Sequence, residues 1–323
     1  MFSRLVRPAP VLSRLCPRLY SSQTPPKFLF IGAGKMAEAM ISPLLSCPIV
    51  GGGKTPEVRI SEISPEISSR VTEKFGIKNF KDLGEAVSGA DMIVVAVKPQ
   101  NVDALFEQLK PVLASQDKKP MVLSICAGVP ITKFADNLGC KKIVRSMPNT
   151  PSMIQEGMTV WSKNESGLFT EDEILLCKNF LACFGSEVMV ADEKFIDMAT
   201  SISGSGPAYV FMLVESMVDT AVHMGFSREI AQKLVLQTIL GSTLYAIDTQ
   251  EHPTVLKNSV TSPAGTTASA MYELEKGRFK TVISDAVWAC YRRSLEMGEQ
   301  DSNVGPGRTS LPSSEFNDFD YRR

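Results

Sequence analysis

The chain has 323 residues, 44% of them hydrophobic, and a formal net charge of −1 at pH 7. This length exceeds that of a typical single domain, so the sequence predicts two domains with a sizeable core. Because the charge is nearly balanced and no long basic run interleaves with aromatic residues, the composition argues against nucleic-acid binding and favours a small-molecule function.

The first 26 residues have the composition of a mitochondrial presequence. They contain four arginines and four serines but no acidic residue, and the first acidic residue of the chain is Glu38. The peptide at 18–21 also resembles a matrix-processing site, with cleavage near Tyr20. We therefore predict a presequence and a protein of the mitochondrial matrix, with a disordered basic tail as the alternative.

Residues 28–37 predict the first turn of a dinucleotide-binding unit. A short apolar run ends at Gly32, and Gly34 and Ala37 follow with the spacing G-x-G-x-x-A. Gly32 would permit a tight turn, Gly34 would let the backbone approach a pyrophosphate, and the small Ala37 would let helix and strand pack closely. The match is weak by itself, but helical spacing over 35–45 and strand-like alternation over 57–62 complete a βαβ unit.

Compact apolar runs bounded by turn residues predict the other strands of a parallel sheet that is covered on both faces. Strands are expected near 91–97, 120–125, 142–145, 157–161 and 188–190, and helices near 82–89, 101–114, 131–138 and 171–184. These elements predict a Rossmann-like, doubly wound α/β domain over residues 27–192.

Beyond Glu193 the pattern becomes entirely helical. Helical spacing occurs near 206–225, 227–248, 253–259, 266–276 and 279–298. We expect a helical domain over 193–298 that dimerises, because its apolar faces are too extensive for one small bundle to bury. Residues 299–323, rich in Ser, Gly, Pro and Asp, predict a disordered tail.

Neither a membrane span nor a cysteine framework is predicted. No apolar run reaches the roughly 18 residues that a span requires. The seven cysteines form no C-x-x-C pair and their number is odd, which favours neither a metal site nor a disulfide framework. Reduced, buried thiols are expected instead.

Three loops that follow predicted strands have unusual content. They are Lys98-Pro99-Gln100, Cys126-Ala127-Gly128 and the segment 147–151, Met-Pro-Asn-Thr-Pro. In an open α/β sheet the carboxyl ends of the strands line the ligand crevice, so the three loops together predict a site. Each loop by itself is equally consistent with Pro and Gly that merely end a strand.

A second cluster, over 257–267, places hydroxyls and small residues just before a predicted helix. Backbone N–H groups at a helix start, helped by the helix dipole, can hold a carboxylate without an arginine. An ordinary N-cap is the alternative, since Ser and Thr are common there.

Taken together, these motifs resemble the pyrroline-5-carboxylate reductase family from about residue 28 to 298. The matching segments are Phe-Ile-Gly-Ala-Gly-Lys-Met-Ala at 30–37, Ala-Val-Lys-Pro at 96–99, Met-Pro-Asn-Thr-Pro at 147–151, Ser-Gly-Ser-Gly-Pro-Ala-Tyr at 203–209, Glu-His-Pro at 251–253 and Ser-Pro-Ala-Gly-Thr-Thr at 262–267. The resemblance implies hydride transfer from NADPH or NADH to the C=N carbon of pyrroline-5-carboxylate, which gives proline in the last step of its synthesis. It also implies a homodimer that assembles into a larger ring.

The resemblance assigns cofactor and substrate residues by motif. The implied cofactor-binding residues are Ile31, Gly32, Ala33, Gly34, Lys35, Met36, Ser64, Ala96, Val97, Lys98, Pro99, Ile125, Cys126 and Ala127. The amides around Gly265, Thr266 and Thr267 would hold the substrate carboxylate, and Glu193 lies at the family's substrate-side acidic position. The Thr267 hydroxyl would bond the ring nitrogen, which makes Thr267 the catalytic candidate. No metal is implied.

The sequence offers no obvious proton carrier. Its two histidines are His223, inside a predicted helix, and His252, before a proline. A protonated imine is already electrophilic, so the protein mainly has to align the nicotinamide with the substrate carbon. Helix-surface and loop-capping roles are expected for the histidines.

Two positions depart from the family pattern. Ala264 replaces the first of two glycines that commonly follow Ser-Pro, and its methyl would alter the carboxylate cradle if its φ is positive. Glu62 follows the second strand, where a carboxylate favours a free ribose diol and repels a 2′-phosphate. We hypothesise that Glu62 shifts the preference toward NADH, although strand alternation could point it away and Ser64 remains as a phosphate donor.

Two other functions are compatible with the same two-domain plan. A hydroxyacid dehydrogenase would need a group to accept the hydroxyl proton, and no lysine with an asparagine partner is assigned to that role. A non-catalytic NAD(P)-sensing module would not need the Thr266–Thr267 pair.

Overall fold

The structure is a computed structural model that describes residues 24–47, 50, 54–164 and 169–308. Most of the predicted presequence, residues 1–23, lies outside the described residues. So does the segment 309–323 of the predicted tail.

An eight-stranded sheet with the order β3-β2-β1-β4-β5-β6-β7-β8 forms the N-terminal part. The strands are β1 (Lys27–Ile31), β2 (Glu57–Ser61), β3 (Lys78–Asn79), β4 (Met92–Val95), β5 (Met121–Ser124), β6 (Ile143–Met147), β7 (Gly157–Lys163) and β8 (Gly185–Met189). All neighbouring pairs are parallel except β6 and β7, which are antiparallel. The predicted Rossmann-like fold is confirmed, and the exception arises because residues 148–156 are too few for a parallel crossover.

Helices cover both faces of this sheet. They are α1 (Lys35–Leu44), α2 (Pro65–Phe75), α3 (Leu83–Val87), α4 (Val102–Ser115), α5 (Ile131–Leu138), α6 (Glu171–Ala182) and α7 (Lys194–Ala199). Because successive strand residues point to opposite faces, Phe28 and Phe30 enter one apolar cluster while Leu29 and Ile31 enter the other. Both faces of β1 are therefore core, as a continuous apolar run predicts.

The C-terminal part is helical, also as predicted. It contains α8 (Gly206–His223), α9 (Arg228–Thr249), α10 (Pro253–Ser259), α11 (Thr266–Lys276) and α12 (Phe279–Met297). The chain divides into two compact units, one of residues 206–289 and the other of the remaining described residues. The predicted boundary between the two domains lies before Glu193. In the structure, α7 and a π-helical turn, Thr200–Gly204, belong to the sheet unit.

The helical unit has a very small core of its own. The described residues of α8 and α9 place only Val218, Ala231 and Val235 in its buried cluster. Large apolar side chains on the same helices are exposed instead, among them Met212 at 71% and Ile247 at 59%. A face of this kind is far more apolar than a monomeric protein normally leaves in water.

Helix α9 is also long and apolar enough, by length and composition alone, to cross a membrane, and 11% of its apolar window is buried. No membrane span was predicted there, because the helix contains no unbroken apolar run of the required length. Its leucines and isoleucines are interspersed with polar residues such as Gln237 and Thr243.

Two cysteines differ from the expectation of free thiols. Cys47, just after α1, and Cys183, at the end of α6, form a disulfide with a Cα–Cα distance of 5.9 Å. The expectation of reduced thiols was wrong at these two positions because the pair is separated by 136 residues and comes together only in the folded chain. Cys126, Cys140, Cys177 and Cys290 are free.

The described part of the predicted tail folds back on α12. The Arg292 side chain donates to the carbonyl oxygens of Val304, at 3.0 Å, and Pro306, at 3.4 Å. Both contacts lie within the sheet unit.

Candidate functional site

The turn after β1 has the geometry that its glycines predict. Gly32 has a φ of +88°, and a Cβ added there would lie 2.8 Å from the carbonyl oxygen of Ala96. Its N–H donates to the Ser61 carbonyl at 2.9 Å, which ties the turn to the end of β2. Gly32 therefore meets two requirements, a positive φ and a close backbone neighbour, that no other residue satisfies without strain.

The space around Gly34 is open, whereas the space around Gly32 is filled by neighbouring backbone. It is the N-cap of α1, no side chain caps that helix, and an added Cβ would have no atom within 4 Å. Uncapped N–H groups at the start of a helix attract anions, particularly phosphate. Lys35 and Met36 begin α1 beside them, with Lys35 exposed.

The carboxyl ends of β1, β4 and β5 lie side by side, which brings the predicted cofactor loops together. The Ala96 N–H donates to Ile31 at 2.8 Å, and the Ile125 N–H donates to Val95 at 3.1 Å. The Cys126 thiol contacts the Val97 carbonyl at 3.3 Å. Segments 31–36, 96–99 and 125–127 therefore line one edge of the sheet.

Cys126 contributes to this edge by packing and backbone. Burial raises the pKa of its thiol to about 11. Because the thiolate is the reactive form, the side chain is unreactive near neutral pH.

The loop at 147–151, the third of the loops that follow predicted strands, holds parts of the fold together. The Asn149 side chain donates to the Ser203 carbonyl at 2.9 Å and accepts from the Met158 N–H at 2.9 Å. Both ends of the amide are thus occupied in joining β7 to the π-helical turn.

The loop after β2 places an acid against the glycine turn. The Glu62 carboxylate accepts from the Ala33 N–H at 2.7 Å and from the Ser64 N–H at 2.8 Å. Strand alternation left its direction open, and the structure points it toward the turn. Ser64 is the N-cap of α2 and accepts from the Ile67 N–H at 3.4 Å.

In the helical unit, the start of α11 has the form of an anion site. Gly265 is the N-cap and no side chain caps the helix, whereas α9 and α10 are capped by Ser227 and His252. The first amides of α11, at Thr266 and Thr267, therefore have no side-chain acceptor. The ordinary Ser or Thr N-cap, the alternative reading of this segment, is not what the structure contains.

Ala264 adopts the conformation that makes its methyl group consequential. Its φ is +57°, a left-handed conformation that strains a residue with a Cβ. The two residues before α11 are therefore held in a turn that a glycine would form with less strain.

Glu193 lies in a buried ion network. Its carboxylate accepts from the Ile131 N–H at 2.9 Å and pairs with the Arg145 guanidinium at 3.2 Å. Arg145 also makes a two-bond contact with Asp197, at 2.6 and 3.0 Å, and Asp197 accepts from the Ser294 hydroxyl at 2.9 Å. Arg145 and Asp197 were not predicted as site residues; the available signal was an arginine in the middle of a strand, Ile143–Met147.

The histidines occupy helix ends. His252 accepts from the Thr254 N–H through Nδ1 at 3.2 Å, and His223 is in the last turn of α8. Neither belongs to the sheet edge described above.

Comparisons with known proteins assign relatives to both parts of the chain. A family model described as pyrroline-5-carboxylate reductase dimerisation matches residues 193–297, and one described as NADP oxidoreductase, coenzyme F420-dependent, matches residues 27–128. The pyrroline-5-carboxylate reductase of Arabidopsis thaliana is 37% identical over 272 residues, which cover 84% of this chain and 95% of that protein. The Escherichia coli pyrroline-5-carboxylate reductase is 35% identical over 274 residues, covering 84% and 98% of the two chains.

Solved structures give a matching result. The crystal structure of Plasmodium falciparum pyrroline carboxylate reductase with NADP bound has a TM-score of 0.74 and 32% identity, and it covers 84% of this chain and 98% of that one. The similarity spans both the sheet and the helices.

Proposed function

This chain belongs to the pyrroline-5-carboxylate reductase family, and we propose that it reduces pyrroline-5-carboxylate to proline with NADPH or NADH. The observation that carries the proposal is the uncapped start of α11, because its amides suit the carboxylate of an amino-acid-like substrate. No comparable observation favours a hydroxyacid dehydrogenase or a nucleotide-sensing module.

The edge formed by β1, β4 and β5 fits a dinucleotide. The open surface at Gly34 and the uncapped start of α1 would take the pyrophosphate, and segments 96–99 and 125–127 would flank the rest of the cofactor. The nearly fully exposed Ile63, at 95%, offers an apolar surface beside the ribose position. When bound, the reduced nicotinamide supplies the hydride.

We assign the substrate to the start of α11. The Thr266 and Thr267 amides would hold its carboxylate, and the half-buried Thr267 hydroxyl would orient the ring nitrogen. Glu193 uses one carboxylate oxygen, Oε2, for both the Ile131 N–H and Arg145, which fixes the first turn of α5, and it remains the proposed acidic residue on the substrate side.

Thr267→Ala should lower kcat/KM for pyrroline-5-carboxylate about 10- to 100-fold, because it removes one hydrogen bond to a charged group in the transition state. Binding titrations without substrate should find the dissociation constants for the nucleotides unchanged. Ser269→Ala, which removes an exposed hydroxyl two residues further along α11, is the matched control and should stay within about twofold of the parent. Full activity of Thr267→Ala would contradict the assignment.

We assign the exposed apolar faces of α8 and α9 to a second copy of the chain. The family model that covers these helices describes dimerisation, and the core of the helical unit is too small to explain their composition. Further assembly of dimers into a ring is part of the proposal. Light scattering on the purified protein should give at least a dimer, and a monodisperse monomer would contradict it.

The matrix location also remains a proposal. Its support is the arginine- and serine-rich, acid-free composition of residues 1–26. Isolated mitochondria should import and shorten the full chain but not a chain that lacks residues 1–20; equal import of both would contradict the location.

A further inference from the structure

Glu62 is fixed in place by hydrogen bonds to both its side chain and its backbone. The carboxylate accepts from the Ala33 and Ser64 N–H groups at 2.7 and 2.8 Å. Its backbone N–H donates to the Asn79 Oδ1 at 3.0 Å, and its carbonyl accepts from the Asn79 Nδ2 at 3.2 Å. Asn79, on β3, in turn donates to the Ser68 hydroxyl at 2.6 Å, so the amide itself is held by α2.

The fixed carboxylate still has acceptor capacity. An ionised carboxylate offers about four lone-pair sites, and the two backbone N–H groups use two of them. Glu62 is only partly buried, so its carboxylate can accept further hydrogen bonds from a ligand at the glycine turn. An acidic side chain at the end of the second strand of a dinucleotide-binding unit can accept hydrogen bonds from a ribose diol.

The loop and helix start that follow Glu62 are poor in positive charge. The residues that follow it, 63–69, contain no Lys or Arg and include a second acid, Glu66. The next cations, Arg70 and Lys74 on α2, both bind Glu38 on α1, at 3.2 and 2.5 Å. The hydrogen bond from Lys74 lowers the pKa of Glu38. Glu38 therefore stays charged and continues to bind the two cations that could otherwise pair with a 2′-phosphate.

We propose that Glu62, positioned by Asn79, makes the enzyme select NADH over NADPH. Its carboxylate accepts hydrogen bonds from the free ribose hydroxyls and repels the dianionic 2′-phosphate, for which no unpaired cation on the following loop compensates. The inference rests on the proposed function, since it specifies the nucleotide of the same reductase.

The test compares the dissociation constants of NADH and NADPH for the full chain without substrate, by fluorescence or calorimetry. NADH should bind roughly 30-fold more tightly or better, from the repulsion of nearly two phosphate charges by one carboxylate at about 4 Å. NADPH binding that equals or exceeds NADH binding overturns the proposal.

Glu62→Ser should weaken the binding of NADH, strengthen the binding of NADPH and bring the ratio of their dissociation constants toward one. Glu62→Gln, which keeps the shape and removes the charge, should move the ratio in the same direction. Glu73→Gln removes the same charge from an exposed position further along α2 and should leave the ratio unchanged. An unchanged ratio in both Glu62 variants overturns the role of this carboxylate.

Asn79→Ala tests the positioning role. It should lower the NADH to NADPH preference in the parent but not in the Glu62→Ser background, because the two residues act as one unit. If Asn79 had a purely structural role, Asn79→Ala would weaken the binding of NADH and NADPH equally and leave the ratio of their dissociation constants unchanged. That result would overturn the positioning role. Nucleotide binding is read without substrate, so a failure of this proposal is distinguishable from a failure to form proline.

Discussion

Gly32→Ala is expected to destabilise the protein by about 2–5 kcal/mol. The estimate combines about 1–2 kcal/mol for a Cβ at positive φ with about 1–3 kcal/mol for forcing a methyl into a packed site. The neighbour that would have to move is backbone, the Ala96 carbonyl at 2.8 Å from the added Cβ, so no side-chain rotation relieves the contact. Urea unfolding of the purified protein measures the effect.

Gly34→Ala provides the matched comparison two residues away. Its φ is −65° and an added Cβ meets nothing within 4 Å, so the free energy of unfolding should change little. Nucleotide affinity should nevertheless fall about 10- to 100-fold, because the methyl group stands between the start of α1 and the pyrophosphate. Unfolding behaviour like the parent's in Gly32→Ala, or parental nucleotide affinity in Gly34→Ala, would contradict this account of the turn.

Arg145→Met is expected to destabilise the fold by about 3–5 kcal/mol, because it leaves the buried Asp197 carboxylate without its counter-charge. The side chains of Arg145 and Asp197 are 2% and 1% exposed, so water cannot replace the lost contacts. Arg293→Met is the matched control, since Arg293 pairs with Glu296 at the surface. That change should alter the free energy of unfolding by no more than about 1 kcal/mol.

A second substitution distinguishes the loss of the Arg145–Asp197 attraction from the cost of leaving a buried carboxylate without a counter-charge. In Arg145→Met combined with Asp197→Leu, the buried pair becomes apolar and much of the stability should return. Urea unfolding of the single and double variants makes the comparison. If Arg145→Met alone unfolds like the parent, the network has no stabilising role.

Most of the fold could be predicted from the sequence because residues that favour turns and helix ends, such as Pro and Gly, lie at the boundaries of many helices and strands. Helices over 131–138, 253–259 and 266–276 were predicted with the bounds that the structure gives, and each begins next to Pro or Gly. Helix α2 was missed because its sequence is polar, although Ser64, Pro65 and Gly76 are the cap signals of a helix. Strand β8 begins earlier than predicted, at Gly185, where a positive φ starts the strand.

Features that depend on long-range contacts were less accessible. The Cys47–Cys183 disulfide and the Arg145–Asp197 pair join residues 136 and 52 positions apart, and nothing in either local sequence identifies the partner. The nucleotide edge was predictable because the carboxyl ends of parallel strands converge by topology. The direction of Glu62 was not, since it depends on Asn79 and on the backbone of the glycine turn.

The most direct test of the central claim follows hydride from the nicotinamide to the product. The purified protein is mixed with pyrroline-5-carboxylate and NADH carrying deuterium at the transferable C4 position, and the proline is analysed by mass spectrometry. The account predicts proline with one deuterium on the carbon that was double-bonded to nitrogen, and a much smaller yield from Thr267→Ala under the same conditions. Failure to form proline with either NADH or NADPH would contradict it.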